Sequence, residues 1–116
     1  MTESSNKEEI PAPSVETDRT VTSSGERNAL TRAKQYLEYT AFSYAGLVDQ
    51  LEFEGFTASE AEYGADHCGA DWNEQAVKKA RQYLDYSSFS RSGLVDQLVY
   101  EGFTQKQAEY GVDQTY

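Results

Sequence analysis

Gly46-Leu47-Val48-Asp49-Gln50-Leu51-Glu52-Phe53-Glu54-Gly55-Phe56-Thr57 is written a second time as Gly93-Leu94-Val95-Asp96-Gln97-Leu98-Val99-Tyr100-Glu101-Gly102-Phe103-Thr104. The offset, 93 minus 46, is 47 residues, a period in the range that marks repeat architectures. The likeness spreads outward from this phrase. Aligned at the same offset without a gap, Ala29 to Asp66 and Ala76 to Asp113 agree at about 23 of 38 positions, far above what shared composition gives. The chain is a duplicated unit, and the duplication separates what both copies kept from what changed.

Each copy carries the signals of three helices. Ser23-Ser24-Gly25-Glu26 has the S-x-x-E form of a capping box, and Ala29, Leu30, Ala33, Tyr36 and Leu37 then recur with helical spacing. The first helix is expected to run to about Tyr39. Ser43 is the next N-cap, Leu47, Val48 and Leu51 form one apolar stripe, and Gly55 is placed to end the second helix in a left-handed conformation. Thr57-Ala58-Ser59-Glu60 is another capping box, opening a third helix to about His67 through the small residues Ala61, Gly64 and Ala65. Helix, tight turn and short helix make the spacing of a helix-turn-helix. Asp71-Trp72-Asn73-Glu74 opens the second copy, with helices expected from Trp72 to about Tyr86, from Ser90 to Glu101 and from Thr104 to about Gln114. The fold class is therefore all-α, a tandem of two three-helix units over residues 24–70 and 71–116. Residues 1–23, polar and with Pro11 and Pro13, read as a disordered tether.

Tyr36, Phe42 and Phe56, with Tyr83, Phe89 and Phe103, fall at apolar positions and are assigned to the two small cores. Phe53 and Tyr100 lie off the stripe of Leu47, Val48 and Leu51, which predicts exposed aromatic surface beside Glu54 and Glu101.

Charge and composition exclude several functions. The net charge is -10, unevenly spread: residues 24–71 carry three positive and nine negative charges, residues 72–116 five and six. Such a field repels nucleic acid and anionic lipid and favours basic partners. A helix-turn-helix would place the third helix in a major groove, but that helix begins Ala58-Ser59-Glu60-Ala61-Glu62 and its glutamates would face phosphates. Nucleic acid is not an expected partner, and a DNA-binding regulator remains the alternative together with a cell-surface or wall-binding module.

Neither catalysis nor a cofactor is expected. The chain has one histidine, His67, and one cysteine, Cys68, so no intramolecular disulfide can form. Asp66-His67-Cys68 sits on consecutive helical positions that point about 100° apart, and the second copy reads Asp113-Gln114-Thr115 there, which argues against a repeated metal site.

Polar residues held in both copies are more informative: Gln35 and Gln82, Asp49 and Asp96, Gln50 and Gln97, Glu54 and Glu101, Glu62 and Glu109, Asp66 and Asp113. Capping and pairing account for part of this set. With Glu52 and Glu60, its carboxylates form the candidate partner-binding surface, an acidic face presented twice to a basic peptide.

The repeated pattern A-x-x-Y-L-x-Y-x-x-F-S-x-x-G-L-V-D-Q-L-x-x-E-G-F-T-x-x-x-A-E-Y-G closely resembles the repeat of the host cell surface-exposed lipoprotein family, over about residues 26–114. The family includes superinfection-exclusion lipoproteins of temperate phages of Gram-positive hosts. The resemblance implies a prophage-encoded protein, lipid-anchored at the outer face of the host membrane, that blocks DNA injection by a second phage. Its implied partner is the tape measure protein of the incoming tail, of which a basic segment would meet the acidic face. The family pattern also implies a signal peptide and a lipid-bearing cysteine near the start. Met1 to Ser23 reads as neither, and Cys68 lies inside the repeats. The expectation is a soluble, monomeric domain with its anchor removed, touching the membrane only through that anchor.

Overall fold

The computed structural model describes residues 22–116. The expected tether, apart from Thr22 and Ser23, lies outside the described residues. Six helices follow in order: α1 Ser24–Tyr39, α2 Tyr44–Phe53, α3 Ala58–His67, α4 Trp72–Tyr86, α5 Arg91–Tyr100 and α6 Gln105–Thr115. Among the described residues there is no strand, and no helix is long and apolar enough to cross a membrane.

Local chemistry sets each boundary. Ser23 Oγ accepts from the Glu26 N–H while Glu26 accepts from the Ser23 N–H, both at 3.0 Å, so the first capping box is complete. Thr57 with Glu60 and Thr104 with Gln107 form the same reciprocal pair on α3 and α6. Asp71 makes only half of the expected box: its carboxylate accepts from the Glu74 N–H at 3.1 Å, without the return bond. Ser43 and Ser90 cap α2 and α5. Both of these helices end in a full Schellman motif. Phe56 N–H donates to Leu51 C=O at 3.2 Å and Gly55 N–H to Glu52 C=O at 2.9 Å, and Phe103 and Gly102 repeat this on Leu98 and Val99.

Each unit buries its own core. In the first, Ala33, Leu47, Val48, Leu51, Ala61 and Ala65 are buried, with Tyr36, Phe42 and Phe56 packed half-buried against them. In the second, Ala76, Ala80, Leu94, Val95, Leu98, Ala108 and Val112 are joined by Phe103, which is buried, and by Tyr83 and Phe89. The expected stripe is the core stripe. The third helix of each unit lies close to the first because only small residues intervene. A Cβ on Gly64 would stand 2.8 Å from the Ala29 carbonyl oxygen, and one on Gly111 2.7 Å from the backbone of Ala76.

The two units are joined by more than a linker. Ser43 Oγ, besides capping α2, donates to Glu101 C=O at 2.7 Å, across the turn that ends α5. Gln75 on α4 is 6% exposed and accepts from the Phe42 N–H at 3.0 Å. Trp72, the first residue of α4, packs edge-on against Tyr44 of α2 and covers the first core. The α1–α2 corner is thus clamped between the start of α4 and the end of α5.

Candidate functional site

Of the ten carboxylates expected on one acidic face, eight separate into two regions. Asp96, Glu109 and Asp113 line a groove of about 330 Å³ between α5 and α6, with Arg91, Val95 and Gln105 as its other walls. Helix geometry brings them together: Glu109 and Asp113 are four residues apart on one face of α6, opposite Asp96 on α5. By the duplication, Asp49, Glu62 and Asp66 hold the same positions on α2 and α3.

The copies differ in what answers the aspartate at the groove end. Arg91 forms an ion pair with Asp113 in the second unit. Its counterpart is Tyr44, whose hydroxyl donates to Asp66 at 2.8 Å. That bond, some burial, and the charges of Asp66 and Glu62 hold the Tyr44 phenol protonated, raising its pKa from 10.0 to about 12. The first groove therefore keeps its carboxylates without an internal cation, and the second has one neutralised.

Glu54 and Glu101 belong to the opposite side of each unit, where the first helix meets the end of the second. Arg32 grips Glu54 through two nitrogens, at 2.9 and 3.2 Å, and lies 4.8 Å over the Tyr36 ring. The carboxylate raises the Arg32 pKa further, first by hydrogen bonding and then by charge. In the second unit the Tyr83 hydroxyl donates to Glu101, and burial followed by this bond raises the Tyr83 pKa. Gln50 and Gln97 donate to the Tyr36 and Tyr83 hydroxyls at 3.2 and 3.1 Å. This repeated pair of glutamines thus serves a repeated pair of tyrosines, whereas Gln35 accepts from Arg32 at 3.2 Å and Gln82 from Thr40.

The other two expected face residues lie in neither region: Glu60 completes the α3 capping box, and Glu52 stands exposed near the end of α2 where the second copy has Val99. Asp66, His67 and Cys68 diverge as expected. Asp66 faces Tyr44, His67 Nδ1 lies 2.9 Å from Tyr63 C=O, and Cys68 Sγ donates to Ala65 C=O at 3.3 Å. No cluster of potential metal ligands exists among the described residues.

Phe53 and Tyr100 are both 86% exposed, as their positions off the stripe predict. Tyr39 and Tyr86 are 90% and 92% exposed and sequence reasoning passed over them. Both are the last residues of a first helix, three positions beyond a tyrosine that packs inward. That recurrence of two rings in each copy, only one of which a helix can bury, was the available signal.

Comparison with known proteins agrees with the duplicated architecture. No curated protein sequence matches the chain. Among solved structures, the structure of Ltp, a superinfection exclusion protein from the Streptococcus thermophilus temperate phage TP-J34, superimposes with a TM-score of 0.77 at 35% identity, covering 83% of this chain and all of that one. The family model for host cell surface-exposed lipoproteins matches twice, at residues 25–68 and 71–114. Each match spans one three-helix unit, and together they take in most of the sequence: the chain belongs to the host cell surface-exposed lipoprotein family.

Proposed function

We propose that this protein is a superinfection exclusion factor that acts by binding, without catalysis, at the host cell surface. The likeness to Ltp supports the role, and the family supports the location. One observation carries the mechanism: the groove between the second and third helices of the repeat is lined by three carboxylates, seen at Asp96, Glu109 and Asp113 and repeated in sequence at Asp49, Glu62 and Asp66.

Two acidic grooves on one chain suit a basic segment of the incoming phage's tape measure protein. Engaging both grooves makes the second contact intramolecular, which raises affinity without new chemistry. The first groove, lacking a counterpart to Arg91, supplies long-range attraction; the second, with Arg91 in its wall and Lys106 elsewhere on α6, supplies orientation. A segment held this way cannot complete its passage into the membrane, and injection stops. Protein binding is favoured over DNA binding because the third helix presents Glu62 and Asp66, or Glu109 and Asp113, where a reading helix needs donors to phosphate and base edges.

Calorimetry of the chain against purified tape measure protein, at low and at physiological salt, with duplex DNA as the parallel ligand, tests this. Saturable binding to the tail protein that weakens with salt is expected, with none to DNA. Reversing Asp49, Glu62 and Asp66 to lysine should weaken binding at least tenfold, a loss of about 1.4 kcal/mol. Unchanged affinity in that variant would exclude the groove, and binding to DNA alone would restore the regulator reading.

A further inference from the structure

The two acidic grooves are not built in the same way. The second has all its walls on α5 and α6. The core beneath it draws only on α4, α5, α6 and the turns between them. The first unit is less self-sufficient. Its core is completed by Trp72, the first residue of α4, a helix whose buried positions Ala76 and Ala80 serve the second core. One helix thus covers one unit with its first turn and builds the other with the rest.

Trp72 reaches the first groove through a single side chain. Its ring stands edge-on to that of Tyr44, with centroids 5.5 Å apart and planes at 85°. At the far end of the same tyrosine, the hydroxyl donates to Asp66 at 2.8 Å. A tyrosine ring is rigid and moves only about its side-chain torsions, so the contact that fixes the ring also fixes where the hydroxyl can meet the carboxylate. Gln75 secures the turn that carries Trp72. It lies three residues on, on the same face of α4, and is 6% exposed; it accepts from the Phe42 N–H at 3.0 Å, two residues before Tyr44. In the second unit Arg91 takes the place of Tyr44 and meets Asp113 by charge, within the two helices that form the groove.

We infer that Trp72 is a positioning residue for the first groove: a helix of the second unit sets Asp66 through Tyr44, so this groove is fully shaped only while the units are docked. The second groove has no such dependence. The bearing of this coupling on function rests on the reading that the grooves are the contact surface. The element with two arrangements is the first turn of α4, seated on the α1–α2 corner or lifted from it. Linkage makes the coupling reciprocal, so a ligand that favours the shaped groove tightens the junction by the same factor. A basic segment entering the first groove therefore also holds the second groove in one fixed relation to it.

Two measurements on the full chain test this. The first needs no ligand. Tyr44→Phe keeps the ring and removes only the hydroxyl, so the variant should fold normally. Its Phe42 amide, bonded to Gln75, should exchange hydrogen about two- to tenfold faster than in the wild type, with the Leu94 amide of the second unit unchanged. The second is calorimetry with purified tape measure protein. Trp72→Leu and Asp66→Asn should each weaken binding about three- to tenfold, and Trp72→Leu should cost nothing further once Asp66→Asn is present. Added to Asp96→Asn, in the other groove, its loss should persist in full. Trp72→Phe, which keeps a ring beside Tyr44, should retain most of the affinity. Circular dichroism checks that the helices of each variant are intact. Unchanged exchange at Phe42, or additive losses at Trp72 and Asp66, would overturn the inference. Should the tail protein fail to bind even the wild type, the proposed function falls, and the exchange measurement still decides the coupling.

Discussion

The turns at Gly55 and Gly102 share the sequence Glu-Gly-Phe-Thr, the same Schellman bonds and the same left-handed glycine, with φ of 105° and 110°. Only one of them is docked. A Cβ on Gly55 would meet nothing within 4 Å, whereas one on Gly102 would stand 2.6 Å from Ser43 Oγ and 3.1 Å from Ala45 Cβ. Identical local chemistry has thus been given a second use in one copy, as the socket for the other. Phe103 follows suit: it is buried, while Phe56 is half-buried.

This contrast predicts the largest effect. Gly55→Ala should cost about 1–2 kcal/mol, the strain of a side chain in the left-handed region. Gly102→Ala should cost about 2–4 kcal/mol, because overpacking at the junction adds to the same strain. Urea unfolding of the two variants measures the difference. Equal costs would mean that the units do not dock in solution.

Gln75 and its counterpart Asn28 sharpen the point. Gln75 is buried at the junction on the Phe42 N–H, whereas Asn28 is exposed and donates to Ser24 C=O at 2.8 Å within its own helix. Gln75→Ala leaves that amide without its partner and should cost about 1–3 kcal/mol. Asn28→Ala should stay within about 0.5 kcal/mol. Ser43 and Ser90 give a smaller version. Each caps its helix, worth about 1 kcal/mol, but Ser43 is buried and also donates to Glu101. Ser43→Ala should exceed Ser90→Ala by about 1 kcal/mol in the same unfolding measurement.

These residues also show where sequence reading stops. The helices were legible because each signal is local: Ser23, Thr57 and Thr104 reach three residues, and Gly55 and Gly102 act on their own backbone. The junction was illegible because its residues already had complete local explanations. Ser43 reads as a cap, Gly102 as a helix end and Gln75 as one more polar position on α4; nothing in a cap announces that its hydroxyl also serves a carbonyl 58 residues away. The candidate surface met the same limit. Polar residues kept in both copies were visible, yet their division into carboxylate grooves on one side and a tyrosine network on the other depends on how the second helix rotates against its neighbours. Asp96 and Glu101 are five residues apart on and just beyond α5 and end in different places, Asp96 in the groove and Glu101 on the Tyr83 hydroxyl.

The smallest expected effect concerns the one groove position that the copies fill differently. Arg91 holds Asp113 by charge. Tyr44 holds Asp66 only while its phenol keeps a proton. Its pKa in the folded chain is about 12 against 10.0 when free, so folding retains the proton and the contribution is full below about pH 10. It is lost progressively as pH rises from there through 12, since the unfolded chain releases its proton first. The phenol is only partly buried, so solvent screening keeps the contribution small. Tyrosine ultraviolet titration should show a late step near pH 12 that Tyr44→Phe removes and Arg91→Ala does not. In Tyr44→Arg the first groove should acquire the ion pair of the second and with it a weaker salt dependence of tail-protein binding, because a cation then sits among Asp49, Glu62 and Asp66. Unchanged salt dependence would show that the groove-end residue does not set the difference between the two copies.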